Sequence, residues 1–200
     1  WITFFNSNDN LLFLSKDLNE KYLQQYYPNI YIHIYKYKNI MISKRKNLNE
    51  RLDKWFTLNR GTAHPNIFIS AKIVAPQRSP RNTFGYNEVP WYAASDVFFI
   101  TQKDENVSLK YILALLNSKL YYLWLYYRGK RKGEFLELYQ KPLSEIPIKI
   151  VPQMDQQPFI DLVDQILDAK KTNHAADTTA WEKEIDQLVY KLYELTDEEI

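Results

Sequence analysis

Residues 71–101 read AKIVAPQRSPRNTFGYNEVPWYAASDVFFIT, and this stretch decides the fold that the sequence predicts. The β-branched and apolar residues of 67–75 are typical of a strand, and Pro76 ends it. Residues 91–100 predict a second strand or a pair of strands. The polar residues 77–87 lie between them, so the sequence predicts a polar loop held on a rigid base.

The loop carries side chain types that read DNA bases. These candidates for base contacts are Gln77, Arg78, Arg81 and Asn82. Arg pairs bidentately with guanine in the major groove, and Asn or Gln pairs in the same way with adenine. The ordinary alternative is a solvated loop, which composition alone favours.

Helical patterns follow this stretch. Ser108 can cap a helix over 110–127, whose apolar residues lie on nearly all sides and predict a central position. The polar triplet 117–119 argues against a membrane span and indicates a bend or a buried hydrogen-bond anchor. After residue 155, apolar residues at helical spacing predict two amphipathic helices, antiparallel to each other. Earlier in the chain, residues 31–37 fit either a strand or the start of a helix.

The expected class is therefore α+β, with a mixed β-rich recognition core, a central apolar helix and a C-terminal antiparallel helical pair. Charge divides along the same line. Residues 1–150 hold 22 of the 26 Lys and Arg and half of the 24 Asp and Glu, so residues 151–200 are strongly acidic. A basic, aromatic segment joined to an acidic helical tail predicts a surface for a polyanion such as nucleic acid.

Basic residues around the loop are candidates for DNA backbone contacts, since Lys and Arg neutralise phosphates. They are Lys44, Arg45, Lys46, Arg51, Lys54, Arg60, Lys130, Arg131 and Lys132, with His64 as a further candidate for a base or phosphate contact. The alternative is a set of solvated faces, or for 130–132 a contact with another module. Trp55 and Phe56 lie among the basic residues, and a core position is the better interpretation of both.

The sequence offers no catalytic apparatus. It has no Cys, and its three His are far apart, so neither a disulfide nor a metal site is indicated. Its four Gly form no phosphate-binding loop, and we expect no cofactor and no small-molecule ligand in this part. The string Asp168-Ala169-Lys170 resembles a nuclease motif, but it falls on an amphipathic helix and is best interpreted as a solvated face. We expect no chemistry from this chain alone.

Six motifs occur in an order that resembles a known family. They are Lys72-Ile73-Val74-x-Pro76, Tyr92-Ala93-x-Ser95-Asp96-Val97, Leu115-Leu116-Asn117-Ser118-Lys119-Leu120, Arg131-Lys132-Gly133-Glu134, Pro142-Leu143-Ser144-Glu145-Ile146-Pro147-Ile148 and Glu184-Ile185-Asp186-x-Leu188-Val189-Tyr190-x-Leu192-Tyr193-x-Leu195-Thr196. Over residues 50–200 the chain is similar to the TaqI-like C-terminal specificity domain of adenine-specific DNA methyltransferases, especially fused type IIG restriction-modification enzymes.

The resemblance implies that residues 1–150 are a DNA target recognition domain, which binds double-stranded DNA for modules N-terminal to it. Residues 151–200 would then be a spacer or docking element. The N-terminal modules would be a methyltransferase and in some members a nuclease, and S-adenosylmethionine and Mg²⁺ would belong to them. The parent would be a site-specific adenine methyltransferase in the cytoplasm of a bacterium or archaeon, with no membrane partner. Because the chain begins with Trp, we expect it to be a fragment of such a protein.

Three other functions stay open at this point. The spacing of Pro142 and Pro147 before a long helix also resembles type I restriction specificity subunits. A protein-interaction module would use the basic surface to dock an acidic partner. An RNA-binding module is suggested by the aromatic content of 16%.

Overall fold

The computed structural model describes residues 12, 14, 17–57, 66–93 and 96–200. These residues form two compact units, one containing the described residues up to 57 and the other those from 66 onward. Each unit has a hydrophobic core of its own. The predicted division at residue 150 is a division of roles, and it stays a prediction.

The first unit is helical in its described part, with α1 (Glu20–Tyr26), α2 (Pro28–Tyr35) and α3 (Lys38–Asn47). Asn19 caps α1 by accepting a hydrogen bond from the Lys21 N–H at 2.8 Å. Pro28 occupies the first turn of α2, where its missing N–H costs nothing, so residues 31–35 continue a helix and the strand alternative is wrong.

Trp55 and Phe56 complete the core of the first unit. Each is only 2% exposed, and they join Leu23 and Ile34 in one buried cluster. The prediction of core positions for both aromatics is confirmed. The indole N–H of Trp55 is also satisfied, because it donates to the Glu20 carboxylate at 3.0 Å.

The second unit begins with helix α4 (Asn66–Ile69) and a three-stranded antiparallel sheet, sheet A, formed by β1 (Lys72–Pro76), β3 (Gly85–Asn87) and β4 (Val97–Thr101), with β1 in the centre. The predicted first strand thus starts five residues late, because residues 66–69 form a helical turn. The predicted second strand is also shorter than 91–100. The N–H of Trp91 bonds to the carbonyl of Phe68 outside the sheet.

The central β1 holds a buried cation. Lys72 is fully buried, and its ammonium donates to the carbonyls of Phe68, Ser70 and Val89 at 2.9–3.2 Å. Burial lowers the pKa of Lys72 from its ordinary value. A basic residue of the sequence motif is therefore structural here, since its amino group ties α4 and the loop after β3 to the sheet.

A second sheet, sheet B, includes two residues of the segment predicted as a loop. The short strand β2 (Arg78–Ser79) pairs with β6 (Phe135–Glu137), and β6 pairs with β5 (Lys130–Lys132), all antiparallel. Gln77 connects the two sheets through its main chain, since its N–H donates to Asp96 and its carbonyl accepts from Leu138. The loop of 77–87 is therefore shorter than predicted and starts inside a sheet.

The central apolar helix is divided into α5 (Leu109–Asn117) and α6 (Lys119–Arg128). Ser108 and Ser118 cap their first turns, each side chain accepting a main-chain N–H bond. The interruption at 117–119 is thus a bend with buried hydrogen bonds, as predicted. None of the helices in the described part of the chain is long and apolar enough to cross a membrane.

The C-terminal segment contains the short α7 (Gln140–Ser144) and the pair α8 (Gln153–Thr172) and α9 (Thr179–Leu192). Both long helices pack against α5, whose side chains lie at the centre of the core. The buried amide of Gln156 connects α8 to the start of α5 by accepting the N–H of Ser108 and donating to Asn106 and Val151. The predicted α+β class and C-terminal helical pair are confirmed.

Candidate nucleic-acid interface

The strand register of sheet B separates its side chains onto two faces. Arg78 and Lys130 both pair with Glu137, while Lys132 pairs with Phe135. Residues directly opposite each other in an antiparallel pair share a face, so these five residues lie on one face, which we call the outer face of sheet B. On the other face Leu136 is buried in the core.

The middle residue of the basic run 130–132 therefore points away from its two neighbours. Arg131 pairs with Leu136 in the register, and its guanidinium lies 4.0 Å from the centroid of the Tyr126 ring. This is a cation–π contact with α6. The structure brings together Arg78, Lys130 and Lys132 from the predicted set, and it places Arg131 apart from them.

Glu137 lies beneath the basic side chains of the outer face. Its side chain is 5% exposed, and its carboxylate oxygens lie 3.0 Å from Lys130 Nζ and 3.3 Å from Arg78 Nε. The hydrogen bond from Lys130 and the neighbouring Arg78 hold the pKa of Glu137 below its ordinary value. Sequence reasoning missed this residue, although an acid inside a short strand between basic segments was a usable signal.

Tyr139 holds the same two cations from the end of β6. Arg78 donates to its hydroxyl at 3.1 Å, and the ammonium of Lys130 lies 5.3 Å from the centre of its ring. The Tyr139 hydrogen bond raises the pKa of Arg78 above its ordinary value. Its ring packs edge-on against Phe98 of β4. A groove of about 450 Å³ beside it adds Arg128 and Lys141 to the basic surface.

The three remaining candidates of the polar loop differ in how accessible their side chains are. Arg81 is exposed, as a base contact requires. Asn82 is not available for a base, because its amide nitrogen donates to the carbonyls of Leu116 and Ser118 at 2.7 and 2.8 Å. Those carbonyls lie where α5 ends, and the base-reading prediction for Asn82 is corrected to a structural role. The side chain of Gln77 is half-buried.

Arg45 in the first unit also has a structural role. It is 5% exposed, and its guanidinium donates to the carbonyls of Trp55, Arg51 and Thr57 and to the carboxylate of Glu50. A buried guanidinium that is bonded in this way cannot reach a phosphate, so the predicted phosphate contact is wrong for Arg45.

The other basic candidates of the first unit differ in their surroundings. Lys44 and Lys46 are exposed on the last turn of α3. Arg51 pairs with Asp53 at 2.6 Å, and Lys54 donates to the carbonyl of Leu18 at 2.6 Å. Arg60 and His64 lie outside the described residues. No cluster of metal-ligating side chains occurs within the described ranges.

Comparisons with known proteins identify the family of the chain. The family model described as the TaqI-like C-terminal specificity domain matches residues 33–148. Among curated proteins, the chain is 34% identical to the type II methyltransferase M.HindII of Haemophilus influenzae strain Rd over 155 residues, 72% of this chain. It is 35% identical to M.HincII of Haemophilus influenzae over 143 residues, 66% of this chain. The chain spans 29% and 28% of the lengths of these relatives.

A solved structure shares the fold. The type IIL restriction-modification enzyme MmeI, determined in complex with DNA, superposes with a TM-score of 0.55 over 72% of this chain and 20% of that one. The sequence identity is 13%, so this likeness concerns the fold.

Proposed function

Because the chain belongs to the family of TaqI-like C-terminal specificity domains, we propose that it reads the target sequence in double-stranded DNA for an adenine methyltransferase of a restriction-modification system. The observation that carries this proposal is the outer face of sheet B, where the strand register brings Arg78, Lys130 and Lys132 together and the buried carboxylate of Glu137 pairs with the first two. The face lies within the segment that the family model matches.

The chemistry of the outer face suits duplex DNA. Lys130 and Lys132 would bind phosphates, which positions the protein but carries no sequence information. Arg78 would read a base, since its contacts with Glu137 and Tyr139 leave donors of its planar guanidinium for the acceptor edge of guanine. Arg81 is a second candidate for a base contact. Lys44 and Lys46 would bind phosphates of the DNA backbone.

The remaining parts of the activity belong to the rest of the protein. We expect methyltransferase and possible nuclease modules N-terminal to this chain, as in type IIG enzymes, with S-adenosylmethionine and Mg²⁺ bound by them. This part would supply recognition and no chemistry. Its partner would be cellular DNA, which sets the expected location in the bacterial or archaeal cytoplasm.

Substitution of Arg78 and Lys132 in the full-length protein tests the two roles separately. Arg78→Ala is expected to lose about 1–3 kcal/mol of discrimination at one base pair of the recognised sequence. Lys132→Gln is expected to weaken binding to all duplexes alike and to reduce the dependence of log K on log salt by about 1. Binding to the recognised duplex and to its single-base variants is measured by fluorescence anisotropy at several salt concentrations.

Lys171→Gln is the matched control, since Lys171 is an exposed lysine of the acidic α8 and should leave both quantities unchanged. Binding of the unaltered protein that does not depend on salt would contradict the proposal. An equal loss for Arg78→Ala on all duplexes would remove base reading by Arg78.

A further inference from the structure

We propose that Phe135 is a wedge that stacks on a base step of the bound duplex, between the cations that hold the phosphates. This inference rests on the proposed function. Phe135 is 48% exposed and belongs to the outer face of sheet B, directly opposite Lys132 in the strand register. Among the described residues, its ring packs on no other aromatic ring, and it is not part of either core cluster.

Phe135 lies on a two-stranded hairpin that is anchored in the core of the second unit. Residues 130–132 and 135–137 are joined by the two-residue turn Gly133-Glu134, in which Gly133 has a φ of +59° that glycine adopts without strain. At the base, Leu136 and Leu138 are buried in the core. A two-stranded ribbon of this kind fits a DNA groove. The turn can therefore approach the nucleobases while Leu136 and Leu138 hold the other end of the hairpin in the core.

The surroundings of Phe135 decide which partner it fits. An apolar side chain for a protein contact normally lies in a larger apolar patch, whereas this ring lies beside Lys132 and close to Lys130 and Arg78. A single exposed aromatic ring with cations around it fits a nucleic acid, because the phosphates attract the cations and the nucleobases offer flat π faces to the ring. Apolar wedges between base steps are used by proteins that unstack and kink DNA, and unstacking costs least where the duplex is already weakened.

The test uses the full-length protein and duplexes that carry the recognised sequence, either intact or with one abasic site moved step by step through it. The unaltered protein is expected to bind one abasic duplex about tenfold more tightly than the intact duplex, because the step at Phe135 is already unstacked. Phe135→Ala is expected to lose this preference and about tenfold in affinity for intact duplex, and Phe135→Trp is expected to keep both. A 2-aminopurine placed at the same step reports unstacking as a rise in fluorescence.

Tyr127→Ala is the control, because Tyr127 is a 76% exposed aromatic on α6, outside the outer face of sheet B. Thermal unfolding of each variant excludes a loss of fold. Affinity, abasic preference and 2-aminopurine signal unchanged in Phe135→Ala would overturn the wedge while leaving DNA recognition intact. A changed sedimentation coefficient of Phe135→Ala without DNA would assign the ring to a contact between copies and also overturn it. Failure of the unaltered protein to bind any duplex would remove both proposals.

Discussion

At the residue scale, the two runs of three basic residues behave alike. Lys44 and Lys46 are exposed while Arg45 is buried, and Lys130 and Lys132 share a face that Arg131 does not. Successive side chains point to opposite faces of a strand and lie about 100° apart around a helix, so this spacing argues against the prediction that all three residues of each run contact phosphates. The sequence did not identify the partners of Arg45 and Arg131. The carbonyl groups that bind Arg45 and the Tyr126 ring that contacts Arg131 belong to other segments.

Replacing Glu137 tests the support of the outer face at this scale. Glu137→Gln keeps the shape but removes the charge between Arg78 and Lys130, so we expect a lower urea midpoint of unfolding at pH 7. The pKa of Glu137 is lowered in the folded state, so its contribution is present above the unfolded pKa of about 4.5 and is lost as pH falls through the folded value.

The difference between the unaltered protein and Glu137→Gln should therefore shrink as urea titrations move from pH 7 to below pH 4. Glu134→Gln, in the exposed turn of the same hairpin, is the matched control and should unfold like the unaltered protein at each pH. A difference that is the same at all pH values would mean that the carboxylate charge is not what stabilises this face.

At the scale of elements, the break between α5 and α6 is fixed by the side chain of Asn117 and by side chains from two other segments. Asn117 bonds to both the N–H and the carbonyl of Phe84, and Asn82 bonds to carbonyls at the end of α5. Asp186 of α9 accepts the first N–H of α6 at 2.8 Å, and burial raises the pKa of this carboxyl. The interruption by polar residues predicted the bend, but partners more than 30 residues away could not be predicted from local sequence.

Removing the Asn117 amide tests this junction. Asn117→Ala leaves the main-chain N–H and carbonyl of Phe84 without their partner in a part-buried place, so we expect a loss of about 1–3 kcal/mol in the free energy of unfolding. Gln187→Ala on the exposed side of α9 is the control for loss of a surface amide. Chemical denaturation followed by Trp fluorescence gives both values, and equal stabilities of the two variants would contradict the role of Asn117.

At the scale of the whole molecule, charge and packing divide the chain at different places. The sequence placed the change of charge near residue 150, but α8 and α9 pack on α5 and belong to the same compact unit as sheets A and B. Charge patterns describe the surface, whereas the compact units depend on apolar contacts between residues that are distant in sequence. The fold class could be predicted because helical and strand patterns are local. The boundary between the units could not, because it depends on those long-range contacts.

Ending the chain at residue 150 is expected to abolish cooperative folding of the second unit. Phe159, Val163, Ile166, Ile185 and Val189 would no longer cover the core. Burial of such side chains contributes roughly 1.5–3 kcal/mol each, which together is comparable with the ~5–15 kcal/mol of an entire domain. Near-ultraviolet circular dichroism and thermal unfolding compare the shortened chain with the full chain, and a retained cooperative transition would show that the helical pair is a dispensable appendage.

Under the proposed function, the strand register of sheet B also limits how a new DNA specificity can arise. Changes of side chain at positions 78, 130, 132 and 135 alter the outer face while the buried side of the sheet stays as it is. A slip of strand 130–132 by one residue against strand 135–137 would exchange the two faces, turning Arg131 onto the outer face and both lysines toward α6. New side chains on the outer face can thus arise by point substitution, whereas an insertion that shifts the strand register would disrupt both faces of the hairpin.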